Sequence, residues 1–388
     1  MMMLMLMRGG HRLGRAVTRE RSGCGHQQRA ASYVMGIETS CDDTAVAVVD
    51  TDGNVLSTVV SSQWELNAKW KGIVPGLAAR AHEENLPHVL QAAIKESGLS
   101  SLGDLQAVAV TSGPGLSPCL GVGLTTAQQI ARDHKIDFLQ INHLEAHVLV
   151  ARLPQLEIPR PEFPFLVLLV SGGHCCLVLA RGIGNYELLG NTLDDSVGEA
   201  YDKVARMLDI SSEEGVHGGK LIEEYAKRGD DRAFAFPESM KHRKDCDFSY
   251  SGLKTAMLRE IQRLGLLGDD QKADLCASFQ RRAVDQLVTR TRRACQWGKD
   301  RVGSDLKHLV VCGGVASNQY LRQRIQEAGL EENLDVIFPP AKYCTDNGVM
   351  IAWTGIERYT QGMRSDVETA RYRPRWPLDT LEPLVSSS

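Results

Sequence analysis

The chain has 388 residues, 43% hydrophobic and 24% charged, with 44 Lys and Arg against 48 Asp and Glu for a net charge of −4. That length predicts two lobes, each with its own core, in the composition range of globular proteins. The charge balance excludes a global basic field for nucleic acid, so any polyanion site must be local, and no apolar run approaches the roughly 20 residues that cross a bilayer, so no membrane contact is expected.

The first 32 residues stand apart. Arg8, Arg12, Arg15, Arg19, Arg21 and Arg29 are accompanied by a single acid, Glu20, after a Met/Leu-rich start. An arginine-rich, acid-poor leader has the composition of a mitochondrial transit peptide, which predicts a location in the mitochondrial matrix; the alternative is a disordered basic tail. A secretory signal would carry its apolar stretch after the positive charges, and here the apolar residues come first. Residues 1–32 are therefore excluded from the fold. Residues 33–150 read as an N-terminal lobe, 151–377 as a C-terminal lobe and 378–388 as a tail.

Tyr33 to Glu38 reads as a strand, Thr39 to Asp43 as a polar turn and Thr44 to Asp50 as a second strand; Thr51 to Asn54 turns into a third, Val55 to Ser61. Leu105 to Thr111 predicts another strand, followed by the turn S-G-P-G-L and a helix from about Leu120 to Asp133. The stretch N-H-L-E-A-H, Asn142 to His147, then sets two histidines four residues apart. On a helix, side chains at i and i+4 share one face, so His143 and His147 can grip one divalent metal. Two ligands do not complete a site, and the alternative is a helix with two partly exposed histidines.

The second half repeats the order. Pro164 to Val170 predicts a strand, Ser171 to His174 a Gly-rich turn, and Cys175 to Ala180 and Tyr186 to Leu189 two more strands around a turn at Gly182 to Asn185. A helix from about Gln271 to Trp297 follows, then a strand at Leu306 to Cys312, the turn G-G-V-A-S-N and a helix from about Gln319 to Ala328. Alternating strands and helices mean α/β layers. The duplication predicts an actin-like ATPase (ASKHA) fold, two lobes around a nucleotide cleft, with the turns at Ser40 and Ser171 aimed into it. Backbone N–H groups in such turns, and helix N-termini behind glycine loops, cradle phosphate. The ten cysteines are scattered with no C-x-x-C pair, which predicts reduced thiols in an intracellular compartment. Lys241 to Lys244, Arg281 with Arg282, and Arg290, Arg292 and Arg293 are the local basic clusters available to RNA; the alternative is a solvated helix face.

Seven motifs carry a resemblance. G-I-E-T-S-C-D-D (Gly36 to Asp43), H-L-E-A-H (His143 to His147), L-V-S-G-G-H (Leu169 to His174), G-E-A-Y-D-K (Gly198 to Lys203), D-F-S-Y-S-G-L-K (Asp247 to Lys254), G-G-V-A-S-N (Gly313 to Asn318) and C-T-D-N-G (Cys344 to Gly348) together resemble the TsaD family. These are the tRNA N6-threonylcarbamoyladenosine transferases, once called glycoproteases. The resemblance runs from about Tyr33 to Pro377. It implies transfer of a threonylcarbamoyl group from threonylcarbamoyl-AMP to N6 of the adenine 3′ of the anticodon, in tRNAs that read codons beginning with A, with release of AMP. It implies a homodimer for the mitochondrial branch. It also implies His143, His147 and Asp346 as ligands of one zinc or iron ion per subunit. Leu169, Val170, Ser171, Gly172 and Gly173 would line the substrate cleft, and Asp202, Gly219 and Asn318 would hold the adenylate.

Two imidazoles and a carboxylate leave coordination positions open, which suits a Lewis acid and template. Asp202 can accept from ribose hydroxyls or salt-bridge within a helix, and Asn318 can bind nucleotide or act as an N-cap. The N6 amine is a poor nucleophile, so positioning and charge stabilisation dominate. Asp42, Asp43 and His174 are all open as a general base. Two positions depart from the family's pattern: Gly76 stands where an acid follows V-P, and Asn142 where a histidine often precedes the metal pair.

Three other classes compete. A metalloprotease requires H-E-x-x-H, whereas Glu145 comes two residues after His143, about 200° around the helix and facing away. A small-molecule kinase of the same fold would not need His143, His147 and Asp346 together. A non-catalytic nucleotide-binding partner would not need an intact metal triad.

Overall fold

The computed structural model describes residues 32–70, 72–210 and 217–382. The segment expected to be a transit peptide, 1–32, apart from Ser32, and the end of the expected tail, 383–388, lie outside the described residues.

Short runs of β-branched and small apolar residues, punctuated by polar turns, build the same sheet twice. Strands β1 (Tyr33–Glu38), β2 (Asp43–Asp50) and β3 (Val55–Ser62) form an antiparallel meander. Helices α1 (Trp64–Trp70) and α2 (Pro75–Ser97) lead to β4 (Ala107–Gly113), α3 (Ser117–His134) and β5 (Asp137–Asn142). The strands β4 and β5 run parallel to β1, giving the order β3-β2-β1-β4-β5. After α4 (His143–Leu149), the meander recurs as β6 (Phe165–Val170), β7 (Cys175–Gly182) and β8 (Asn185–Asn191). Helices α5 (Val197–Met207), α6 (Gly218–Ala226), α7 (Ser251–Leu264) and α8 (Asp269–Val302) then precede β9 (His308–Cys312), α9 (Gln319–Glu331) and β10 (Asp335–Ile337). The second sheet has the order β8-β7-β6-β9-β10, the same as the first position for position. Short α10 (Ala341–Cys344) and α11 (Gly348–Thr360) close the regular structure. The duplicated actin-like architecture is thus the observed one.

The sequence reading differs at particular elements. The strands β5 and β10 were not anticipated, and α8 runs on past Trp297. A Cβ on the next residue, Gly298, would lie 2.7 Å from Leu306 Cδ2, so this glycine serves a close approach inside the helix. The actual stop is Gly303, at φ +64.

Helices α4 and α11 join the halves. From α11, Val349, Met350, Ala352, Trp353 and Ile356 pack with Val34, Ala47 and Ala109 of the first sheet. A Cβ on Gly36 would run into Gly348 O and Ala352 N, and one on Gly348 into Ala47 N and the Val46 backbone, so two glycines let the helix touch β1 and β2 backbone to backbone. From α4, Leu144, Val148 and Leu149 pack with Phe165, Val167 and Leu169 of the second sheet, while Ala146 faces the first. Every residue of α4 is buried. The second half of the chain therefore completes the core of the first lobe. All nine cysteines among the described residues are free.

Candidate metal centre and cleft

Helix α4, which carries His143 and His147, begins at a fixed point. Asn142 caps α4: its Oδ1 accepts from Leu144 N at 2.9 Å and Glu145 N at 3.2 Å, and its amide donates to Trp376 O at 2.9 Å. The departure at Asn142 thus has a structural role as an N-cap. The departure at Gly76 meets no atom within 4 Å of a built Cβ, so packing does not require a glycine there. On the other side, Asp346 lies between α10 and α11, next to Asn347, whose side chain caps α11 through Met350 N.

Two caps thereby bring three candidate ligands together. His147 Nε2 is 3.1 Å and His143 Nε2 3.5 Å from Asp346 Oδ1, and the three potential ligand atoms lie within 4.8 Å of one another. The two imidazole rings meet edge to face, 4.7 Å between centroids. A set of two histidines and a carboxylate fits zinc or iron and leaves positions open for a substrate oxygen.

Charge is concentrated here. Asp346 is held well below the usual carboxylate range: burial opposes this, but His143 and His147 overcome it. Burial likewise opposes charge on His143, yet Asp346 and Glu38 raise it to about 9. His174, whose ring centroid lies 6.4 Å from that of His143, is lowered to about 4 by burial and by the two neighbouring histidines.

Glu145 faces away from the metal side. It accepts from Gly184 N at 2.9 Å, Tyr186 Oη at 3.0 Å and Arg358 Nε at 2.7 Å, and is fully buried. No residue of a protease mechanism stands where H-E-x-x-H would place it.

The turn at Ser171 is braced from behind and open in front. Ser171 N donates to His174 O, His174 N donates to Ser171 Oγ, and Ser196 Oγ donates to Gly172 O at 2.5 Å. Gly172 and Gly173 are exposed, neither has a positive φ, and a Cβ on either would meet nothing within 4 Å. The protein itself does not demand glycine at these positions, whereas a ligand lying against the backbone would. Leu169 and Val170 are fully buried in β6, so the accessible part of this predicted lining starts at Ser171.

Asp202 on α5 accepts from the backbone N–H groups of Gly218 and Gly219 and so closes the start of α6. Burial raises its pKa. The glycine that packing requires there is Gly218, whose Cβ would lie 2.8 Å from Asp202 Oδ1; a Cβ on Gly219 would touch only Tyr201 Cβ, at 3.9 Å. Asn318 caps α9 through Leu321 N and donates to Gln280 Oε1 at 2.8 Å. Opposite, Asp42 accepts from Asn67 Nδ2 at 2.8 Å. Burial and then Asp42 raise Asp43 to about 6. His217 lies close enough to favour charge on Asp42, Asp43 and Asp202, and its ring meets Trp64 of α1 edge to face at 5.6 Å. Turns of both halves therefore face one another across the cleft.

The basic clusters divide. Arg290 is buried and donates to the carbonyls of Met240, Arg243 and Asp245, and Arg293 donates to Arg243 O and Asp245 O. Both hold a loop in place, Arg290 from within the core and Arg293 from a partly exposed position. Arg281 donates to Asp231 O, Arg282 pairs with Glu238, and Arg292 pairs with Glu331. Lys241 and Lys244 remain exposed, Lys241 beside Glu238 at 3.2 Å. Sequence reasoning missed Glu38, which touches His143 and whose only signal was an acid at the end of an otherwise apolar strand.

Comparison with known proteins gives the family and the fold. Residues 54–353 match the family model described as "TsaD: tRNA N6-adenosine threonylcarbamoyltransferase". A curated Arabidopsis thaliana protein, named a probable mitochondrial tRNA N6-adenosine threonylcarbamoyltransferase, is 44% identical over 89% of this chain and 74% of its own length. A Bradyrhizobium tRNA N6-adenosine threonylcarbamoyltransferase is 45% identical over 89% of this chain and 96% of its own length. Among solved structures, T. kodakarensis HypF superposes with a TM-score of 0.54 at 15% identity, over 86% of this chain and 48% of that one, a likeness of fold. On the strength of its motifs, its duplicated sheets and these matches, the chain belongs to the TsaD family of tRNA N6-adenosine threonylcarbamoyltransferases.

Proposed function

We propose that this protein transfers the threonylcarbamoyl group of threonylcarbamoyl-AMP to N6 of the adenine 3′ of the anticodon, position 37, in mitochondrial tRNAs that read codons beginning with A. The observation that carries the reading is the convergence of His143, His147 and Asp346 within 4.8 Å at α4, the helix shared by the two sheets. A mitochondrial name on the Arabidopsis relative and the arginine-rich leader support action in the matrix. The family resemblance supports a homodimer.

His143, His147 and Asp346 would hold one zinc or iron ion, which supplies Lewis-acid polarisation and a template for phosphate or carbamoyl oxygen. The chain's own residues do the rest. Gly172 and Gly173 offer backbone to the adenylate with no side chain in the way. Asp202 keeps acceptor capacity for ribose hydroxyls while it caps α6. Asn318 borders the adenylate through the start of α9. Of the candidate bases, Asp43 is raised to about 6 by burial and by Asp42, toward the range in which a carboxylate accepts a proton near neutral pH. Asp42 and His174 flank the same cleft.

The test is direct. Purified protein is incubated with threonylcarbamoyl-AMP and a transcript tRNA, and adenosine is analysed by mass. The threonylcarbamoyl adduct is expected, and absence of product from metal-loaded protein refutes the assignment.

A further inference from the structure

We infer that Glu38 is a positioning residue of the metal centre: it holds the His143 proton on Nδ1 and thereby leaves the Nε2 lone pair for the metal. The inference rests on the reading of His143, His147 and Asp346 as ligands.

Glu38 is the last residue of β1 and is fully buried. Its carboxylate faces the His143 Nδ1 at 3.1 Å, the Ser40 backbone N–H at 2.5 Å and the Thr111 hydroxyl. An imidazole that ligates metal is neutral, with one N–H and one lone pair, and the partner of one nitrogen decides which it carries. An ionised carboxylate only accepts, so Nδ1 donates. The lone pair then falls on Nε2, the nitrogen that lies 3.5 Å from Asp346 Oδ1.

His147 has no such control. Its Nδ1 is buried with no hydrogen-bond partner among the described residues, and only its Nε2 reaches Asp346. Tautomer selection at the centre therefore falls to Glu38 acting on His143. The same carboxylate ties that ring to Ser40 at the start of the cleft turn and to Thr111 of β4.

The variant Glu38→Gln separates this role from packing, because it keeps the shape and replaces one acceptor by a donor. The Ser40 N–H still requires an acceptor, which turns the new NH2 group toward Thr111 and His143. The Thr111 hydroxyl can rotate to accept. His143 Nδ1 then faces that NH2 group and, at 3.3 Å, the Ser40 hydroxyl, which can rotate; to accept from the NH2 group the ring gives up its Nδ1 proton, which moves to Nε2 and occupies the ligand lone pair.

Zinc affinity of the full chain, measured by competition with a chromophoric chelator, tests the inference. Glu38→Gln is expected to weaken zinc by about 10- to 100-fold, the range for partners that orient metal ligands. Thr111→Val, which removes a donor from Glu38 but leaves its contact with His143, is expected to bind zinc as the parent chain does. Unchanged zinc affinity in folded Glu38→Gln overturns the inference while leaving the ligand assignment standing. A parent chain that binds neither zinc nor iron refutes both. Long-range proton–nitrogen NMR of the zinc-loaded parent chain, labelled at histidine, decides even if the variant misfolds: the proton is expected on Nδ1 of His143, and metal on Nδ1 overturns the inference.

Discussion

Arg358 Nε on α11 donates to Glu145 Oε2 on α4 at 2.7 Å, and Arg358 Nη2 lies 2.6 Å from the same oxygen. The pair joins the two helices that the halves of the chain share, in a site where Glu145 is fully buried. The acid inside the histidine motif is thus a structural strut, with its back to the metal side.

Glu145→Ala leaves the largely buried guanidinium without its partner and also strands Gly184 N and Tyr186 Oη. Breaking a buried pair from one side costs about 3–5 kcal/mol. Urea unfolding is expected to show a loss of that size. A variant of unchanged stability but no activity would mean that Glu145 acts in chemistry after all.

His147→Ala and Asp346→Asn are each expected to abolish stoichiometric zinc or iron in purified protein, read by elemental analysis, with far-ultraviolet circular dichroism unchanged. Each removes one of the three ligand atoms that converge within 4.8 Å. Activity with threonylcarbamoyl-AMP is expected to fall with metal content, and to be lost from the parent chain on treatment with a chelator. Full metal content in either variant would refute the ligand set.

Asp43 yields a prediction in pH. Its pKa is raised from 3.8 to about 6, first by burial and then by Asp42, so the folded state binds its proton more tightly than the unfolded chain does. The resulting stabilisation is fully present below pH 3.8 and is lost as pH rises through 6. Asp43→Asn cannot charge. Relative to the parent, its Tm is expected to rise between pH 4 and pH 6 and to hold a constant advantage above. A Tm difference that does not vary with pH across this window would rule out the raised pKa.

Gly348→Ala tests the contact that seats α11 on the first sheet. A Cβ there would meet Ala47 N and the Val46 backbone, atoms that cannot rotate away. Overpacking of this kind costs about 1–3 kcal/mol. Gly76→Ala, where a Cβ meets nothing, is the control and is expected to leave the denaturation midpoint unchanged or slightly higher. Equal stability of all three chains would mean that α11 does not pack closely on β2.

Much of this molecule was legible locally. Tyr33–Glu38 and Val55 onward could be placed because alternation and polar turns are short-range signals, and the repeat of that pattern after Phe165 revealed the duplication. The histidine pair was legible because helical spacing puts i and i+4 on one face. The end of α8 was not legible, because the glycine after Trp297, Gly298, serves a close approach to Leu306 and the helix runs on to Val302. Arg290 and Arg293 misled because a charge run does not say whether its partners are phosphates or the carbonyls of a loop some fifty residues away.

By itself, the sequence determined the duplicated α/β framework, the helical pair His143 and His147 and, through its motifs, the family. These depend on periodicity and on residues close together in the chain. Only the tertiary structure decided that Asp346, 199 residues from His147, lies 3.1 Å from it, that Glu38 backs His143, and that Glu145 is bound to Arg358. Those relations arise where α4 and α11 cross between the sheets, and burial there selects partners by proximity in space, which no local pattern encodes.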